Sequence, residues 1–336
     1  MNRPARHRLP TGHVPSRRLF VAGALATLAL GAAAQSDKPI RILVGFPPGG
    51  ASDSLARVIA EKLREPLKQQ VIVENRPGVG GRLAAEAVKN AAPDGLTYML
   101  APNATLTFQH LTYPVSVLHY DMTTDFTSVA QLVSYPMAMV VNAGTGVKTA
   151  KDYVAWLKAN PDKGTFGTAG MGGDTHFNGL QFGKVAGVAM TVVPYRGNGP
   201  LVTDLVGGQI LTGNMVAGDA LQHVRSGKLN YVGIFGSKRS PLIPEVPTMA
   251  EQGFDTGGSD GWMGLWGPAK LPRAELERVQ SALRQVLAQP DVKEMLMTRF
   301  LQVADYKGTA EVDKTLRDEL AHWGPIIKAS GFTPQQ

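Results

Sequence analysis

Two hydrophobic periods alternate along this chain. Ile40–Phe46 reads as a strand, and Ser52–Leu67 follows as a helix, with Leu55, Ile59 and Leu63 spaced along one face. Val71–Glu74 is a short strand, Asn75-Arg76-Pro77-Gly78 a turn, and Leu83–Ala91 an alanine-rich helix stopped by Pro93-Asp94-Gly95. Leu96–Ala101 is the next strand. Strands alternating with helices of this length predict βαβ units and a largely parallel sheet.

The rhythm continues. Strands are expected at Met137–Val141, Thr165–Ala169, Thr191–Pro194, Tyr231–Phe235 and Trp262–Trp266. Helices are expected at Lys151–Ala159, His176–Ala186, Leu201–Val206, Asp219–Arg225, Glu275–Leu287, Val292–Phe300 and Val312–Ile327. This is too much chain for one core, so two domains are the prior. We expect residues 35–137 with 259–336 in one lobe and 138–258 in the other. Two crossings between them would form a hinge, with a cleft favoured for a ligand.

The first 34 residues are set apart by their own pattern. Arg3, Arg6, Arg8, Arg17 and Arg18 precede a short apolar run, Leu19 to Leu30, and the small residues Ala32-Ala33-Ala34. That is a secretory signal cleaved near Ala34, too short to span a bilayer. Ser16-Arg17-Arg18-Leu19-Phe20-Val21 fits the twin-arginine motif as well as an ordinary Sec signal. The whole chain carries a net +7; without the five signal arginines it has 29 basic against 27 acidic residues. Its basicity therefore belongs mostly to the signal, and nucleic acid is not an expected partner. There are no cysteines. Disulfides, thiolate sites and a lipid-anchored cysteine are excluded, and the mature chain is expected free in the periplasm.

The candidate chemistry is that of binding. Phe46-Pro47-Pro48-Gly49-Gly50-Ala51-Ser52-Asp53 joins a strand to a helix start, where unpartnered N–H groups and the helix dipole attract an anion. A plain strand-to-helix turn is the alternative. The segment lacks the P-loop ending and the dinucleotide glycine pattern, so no nucleotide or other cofactor is called for. A second glycine-rich loop, Gly170 to Thr175, feeds the helix that begins with His176, whose role is either capping or ligand contact. Asn103 and Thr105 follow a strand, at the end where open α/β sheets bind ligands. Tyr195 has both a packing and a binding reading. Trp262 and Trp266 would share one face of a strand, most simply as buried packing. The histidines are too scattered for a metal site. Gly257-Gly258-Ser259-Asp260-Gly261 matches a nucleophile-elbow pattern, with Asp305 and His322 downstream, but no helix start follows it.

With these residues in place the chain closely resembles the Bug family, the TctC-like periplasmic solute-binding receptors of tripartite tricarboxylate transporters. The resemblance runs from Lys38-Pro39-Ile40-Arg41 to Ser330-Gly331. It is carried by Phe46-Pro47-Pro48-Gly49-Gly50 with Asp53, Val73-Glu74-Asn75-Arg76-Pro77-Gly78, Ala92-Pro93-Asp94-Gly95, Val193-Pro194-Tyr195-Arg196-Gly197 and Asp204-Leu205-Val206-Gly207-Gly208-Gln209. Lys238-Arg239-Ser240-Pro241 through Val246-Pro247-Thr248 extend it.

The resemblance implies a two-lobed type II periplasmic-binding-protein fold, a Venus flytrap whose lobes are each a mainly parallel sheet flanked by helices. It implies no catalysis and no cofactor. The expected ligand is a small organic carboxylate (a dicarboxylate, amino acid or aromatic acid), delivered by a monomer to membrane transporter subunits. The ligand-binding residues it implies are Phe46, Pro48, Gly49, Ser52, Asp53, Asn103 and Thr105 on one side. Thr168, Gly173, Asp174, Thr175, His176 and Tyr195 stand opposite. Asp174 replaces the small or hydroxyl residue usual in relatives, which calls for a ligand with a donor or cationic group beside its anionic end, or an aromatic body. The segment Ile210–Met215 lacks the relatives' acidic residues. A ligand-sensing partner of a membrane signalling protein is the other binding role, and a periplasmic hydrolase using Ser259 the other-class alternative.

Overall fold

Strand β1 (Ile40–Val44) and helix α1 (Ala51–Leu67) set the pattern of the fold. On α1, Leu55, Ala56, Ile59, Ala60 and Leu63 are all buried, one apolar stripe laid over the sheet. Each such Leu or Ile stabilises the fold by about 1.5–3 kcal/mol. The computed structural model describes Met1 and residues 38–333, so the export signal predicted over residues 1–34 lies outside the described residues apart from Met1.

The remaining strands are β2 (Val71–Asn75), β3 (Thr97–Pro102), β4 (Phe126–Tyr135), β5 (Met137–Asn142), β6 (Thr165–Thr168), β7 (Thr191–Pro194), β8 (Thr212–Val216), β9 (Leu229–Ile234), β10 (Gly261–Pro268) and β11 (Val303–Gly308). They form two sheets. One has six strands in the order β11-β4-β10-β3-β1-β2, the other five in the order β7-β6-β8-β5-β9. The chain passes from the first sheet to the second through Pro136 alone, between Tyr135 and Met137. A proline has no N–H for a ladder, which suits a strand break there. The chain returns between Ile234 and Gly261.

Both sheets are mixed in direction rather than mainly parallel. The expected βαβ units are parallel, β1 with β2 and β3, and β6 with β7 and β8. Every antiparallel pair involves β4, β5 or β10, the strands that flank the two crossings. The crossing strands reverse the local direction. Trp262 and Trp266 are buried on one face of β10, ring centroids 5.6 Å apart.

Helices α2 (Arg82–Lys89), α3 (Ala150–Ala159), α4 (Asp174–Ala186), α5 (Asn198–Gly207), α6 (Ala217–Arg225), α7 (Arg273–Ala288), α8 (Pro290–Phe300) and α9 (Thr309–Ala329) flank the sheets, with a short helix at Thr107–Thr112 after β3. An apolar cluster carries the contact between the helices of the two sheets. Phe177 of α4 stacks on Phe108 at 6.2 Å, and Trp323 and Ile327 of α9 complete the group. Among the described residues no helix is long and apolar enough to cross a membrane.

Candidate functional site

The turn after β1 is built by Asp53. Gly49 has φ +88°, a left-handed conformation that glycine accepts without cost, and its N–H donates to Asp53 Oδ2 at 2.9 Å. Arg57 donates from Nε to Oδ2 and from Nη2 to Oδ1, both at 2.9 Å, and Asn75 Nδ2 donates to Oδ1 at 2.8 Å. Burial alone would raise the Asp53 pKa, but these bonds from Arg57, Gly49 and Asn75 outweigh it and hold the carboxyl below its ordinary value. Asp53 is only 2% exposed, so its charge is spent inside the chain. What the turn leaves outward is Pro48, Gly49 and Gly50, and an α1 N-terminus with no side-chain cap. Ser52 is buried in the first turn.

A third turn, absent from the sequence-based site, packs against this one. Gly78, Gly80 and Gly81 all have positive φ, and so does Val79 at +49°, an unfavourable conformation for a β-branched residue. A Cβ on Gly45 would sit 2.4 Å from Gly81 Cα, and one on Gly81 would sit 2.9 Å from Thr105 Cγ2 and 3.5 Å from Phe46. Thr105 Oγ1 donates to Gly80 O at 3.2 Å. Phe46, Gly81 and Thr105 therefore form one patch. Its signal in the sequence was the same as at 47–50, glycines ahead of a helix start.

Asn103 leads to a second omission, Glu319. Asn103 Nδ2 donates to Glu319 Oε1 at 2.9 Å, Trp262 Nε1 to the same oxygen at 2.6 Å, and Thr107 Oγ1 to Oε2 at 2.8 Å. Burial raises the Glu319 pKa, against the opposing effect of those three donors. Nothing in the spacing of α9 marks this carboxylate, because its partners come from β10 and the segment after β3.

On the other sheet the predicted residues gather at the ends of β6 and β7. Buried Thr168 shares a hydroxyl hydrogen bond with Thr175, and its carbonyl accepts from Tyr195 N at 2.8 Å. The Tyr195 hydroxyl donates to Asp204 Oδ2 at 3.0 Å, within the same half of the molecule. His176, 2% exposed, accepts the Gly172 N–H at Nδ1 (3.1 Å). Burial lowers its pKa to about 4, so at neutral pH it is an uncharged ring with the proton on Nε2. Its ring lies 4.8 Å from Phe177 and 5.3 Å from Phe332. In this structure His176 positions the loop. Asp174 follows Gly173 as the first residue of α4; its Oδ1 accepts from Thr175 N at 2.7 Å, and burial pushes its pKa up to about 6.

The two groups meet at the 170–176 loop. A Cβ on Gly172 would lie 3.5 Å from Thr112 and 3.3 Å from Phe332, beside the Phe108–Phe177 stack.

Ser259, Asp305 and His322 line one cavity of about 410 Å³ against β4, β11 and α9, which the predicted ligand residues do not enter. Ser259 stands exposed in an extended segment running straight into β10, with no helix after it, so the nucleophile-elbow geometry is absent. Among the described residues, no group of three or more His, Asp or Glu is placed to hold a metal ion.

Helix N-termini thus stand at strand ends of two sheets joined by two crossings, the kind of place where open α/β sheets bind ligands. The tripartite tricarboxylate transporter family receptor (TctC) pattern matches residues 55–332. The chain belongs to that family. It is 30% identical to BugT of Bordetella pertussis over 326 residues, 94% of this chain and 98% of that one. It is 34% identical to the UPF0065 protein of the gbd 5′ region of Cupriavidus necator over 292 residues, 83% of this chain and 88% of that one. Among solved structures it is similar to MatC of Rhodopseudomonas palustris with bound malate (27% identity, TM-score 0.77, 86% of this chain and 99% of that one) and to the periplasmic binding protein BugD (26%, 0.79, 89% and 100%). An R. palustris protein solved with adipate shares the fold at 24% identity and TM-score 0.82, over 90% of this chain and 100% of that one. The TctC receptor is a solute-binding protein and not an enzyme, so the Ser259 hydrolase reading is set aside.

Proposed function

We propose that this receptor, exported and freed of residues 1–34, binds a small organic carboxylate between two lobes and hands it to membrane transporter subunits. One lobe is 35–137 with 259–336, the other 138–258. The carboxylate sits on the 46–53 turn, held by backbone N–H groups of the α1 N-terminus. Asn103 and Thr105 flank it, and the 168–176 loop with Tyr195 closes from the other side.

The observation that carries this reading is the α1 N-terminus itself. Its own Asp53 is neutralised by Arg57, Asn75 and Gly49, so the uncapped turn keeps its positive potential outward. The malate-bound state of a relative matched over most of the chain supports the same ligand class. A monomer suffices, since both halves of the site come from one chain.

The test is a thermal-shift screen of residues 35–336, unfolded and refolded to strip bound ligand, against dicarboxylates, aromatic acids, amino acids and amides. A ligand at 100 times its Kd stabilises the folded state by about 2.7 kcal/mol. A shift confined to one carboxylate class supports the proposal; a panel without any shift sinks it.

A further inference from the structure

A buried carboxylate stands between Asn103 and the strand that returns from the other sheet. Glu319 of α9 is 8% exposed, and among the described residues no Lys or Arg forms an ion pair with it. Three neutral side chains answer it instead. Its Oε1 accepts from Asn103 Nδ2 at 2.9 Å and from Trp262 Nε1 at 2.6 Å, and its Oε2 from Thr107 Oγ1 at 2.8 Å. All three donors are themselves buried. Replacing a buried, hydrogen-bonded charge and its partners by well-packed apolar groups is often neutral or stabilising, so stability alone gives little reason for a glutamate here. What the carboxylate does supply is a fixed geometry among its three partners.

Each partner belongs to a part whose placement matters. Asn103 opens the turn that also carries Thr105, which is bonded to the Gly80 carbonyl. Thr107 begins the short helix whose Phe108 stacks on Phe177 of α4 at 6.2 Å. Trp262 pairs with Ser134 in the β10–β4 ladder, next to the Gly261–Tyr135 pair at which both crossings attach. One helical turn beyond Glu319, Trp323 packs on Phe108 with ring centroids 5.1 Å apart. Helix α9 thus braces the segment from Asn103 to Thr112 twice, with a carboxylate and with a ring. The carboxylate also decides which end of Asn103 is free. With the nitrogen committed to Oε1, Asn103 Oδ1 is buried and has no partner among the described residues. A buried oxygen in that state is completed by something outside the chain.

We propose that Glu319 is a positioning residue for ligand binding. It touches no ligand itself and acts through Asn103, whose amide it orients and ties to the returning strand by the oxygen shared with Trp262. This inference rests on the receptor reading above, in which Asn103 flanks the bound carboxylate. A residue that acts through a neighbour has nothing further to lose once that neighbour is gone, whereas two residues that act independently have effects that multiply in Kd.

The test is a double-mutant cycle on refolded residues 35–336, read by calorimetric titration at neutral pH. The probe is malate or, where malate does not bind, the compound of the carboxylate and amino-acid panel that gives the largest thermal shift. Each titration is run under conditions where urea unfolding shows the variant fully folded, so that lower stability does not itself enter Kd. N103A and E319A should each raise Kd about tenfold or more, and N103A/E319A should match N103A alone. E319Q, which keeps an oxygen for Asn103 and Trp262, should stay within about threefold of wild type. If E319A gives no cooperative unfolding transition, E319D takes its place in the cycle, since it keeps the charge but withdraws it from Asn103. Single effects that multiply in the double variant overturn the inference, as does an unchanged Kd in either single variant; both outcomes leave the receptor standing. Wild-type protein that unfolds cooperatively yet binds no member of the panel overturns the inference and counts against the receptor reading as well.

Discussion

Arg57 grips both carboxylate oxygens of Asp53 at 2.9 Å, one turn along the same helix. Through Gly49 and Asn75 this pair fixes the turn that the ligand is proposed to meet, with the carboxylate buried and the guanidinium half exposed. Asp53→Ala should leave the Gly49 N–H, the Asn75 amide and the Arg57 guanidinium without their acceptor. A loss of about 2–4 kcal/mol in stability follows, since a buried, hydrogen-bonded carboxylate is removed. Ligand affinity should fall at least tenfold. Urea unfolding and titration with the best ligand of the screen check both; unchanged affinity would mean that the turn is only structural.

The βαβ units were legible because their strands are apolar runs and their helices carry an apolar stripe, as in Ile40–Val44 and Leu55–Leu63. Three strands were not. In β4, Ser128 and Gln131 are buried, and in β8, Thr212 and Asn214 are. Polar side chains at interior positions erase the pattern on which a strand is recognised. β11 (Val303–Gly308) is only partly buried throughout and includes Asp305 and Lys307, as an edge strand does. The site divides the same way. Glycine-rich turns before helices were visible at 47–50 and 170–173, but Glu319 takes its role from residues more than fifty positions away.

Glu319 offers a contrast between two substitutions. Its oxygens accept three side-chain donors, from Asn103, Trp262 and Thr107. Glutamine keeps one oxygen for Asn103 and Trp262 and donates from its nitrogen to the Thr107 hydroxyl, which accepts as readily as it donates. Glu319→Gln should therefore hold its urea midpoint, helped by the removal of a buried charge, whereas Glu319→Ala should lose about 3 kcal/mol. Equal destabilisation by both would show that the charge itself is needed.

Phe332 lies edge-on to His176 at 5.3 Å and to Phe177 at 5.5 Å, so the chain's last described turn covers the loop that carries Asp174. Phe332→Ala should weaken closure more than folding. The expected signature is a five- to tenfold rise in Kd, through faster ligand dissociation, with an apo melting temperature within about 2 °C of wild type. Stopped-flow release of bound ligand measures it. A melting temperature that collapses with no change in the dissociation rate would assign Phe332 to the core instead.

Asp174 should cost the unliganded protein stability in a pH-dependent way. Burial raises its folded pKa from 3.8 to about 6, so the native state binds this proton more tightly than the unfolded chain does. The contribution is fully present below about pH 4 and is lost as pH rises through about 6. Asp174→Asn, which keeps an oxygen for the Thr175 N–H, should therefore stabilise the apo protein at pH 8 by about 1–2 kcal/mol, allowing for the side chain's partial exposure. At pH 4 and below the gain should vanish. His176 runs the opposite way, since its folded pKa of about 4 makes the protein lose stability as pH falls below the ordinary histidine value, but it is common to both proteins and cancels in the difference. The raised carboxyl of Asp219 cancels likewise, while Glu319, which the Asp174 charge helps to raise, is relieved in the variant and adds to the gain at pH 8. Paired urea titrations of wild type and variant at pH 8, 6 and 4 measure the effect; a difference that stays constant across that range would show that the Asp174 carboxyl is not desolvated.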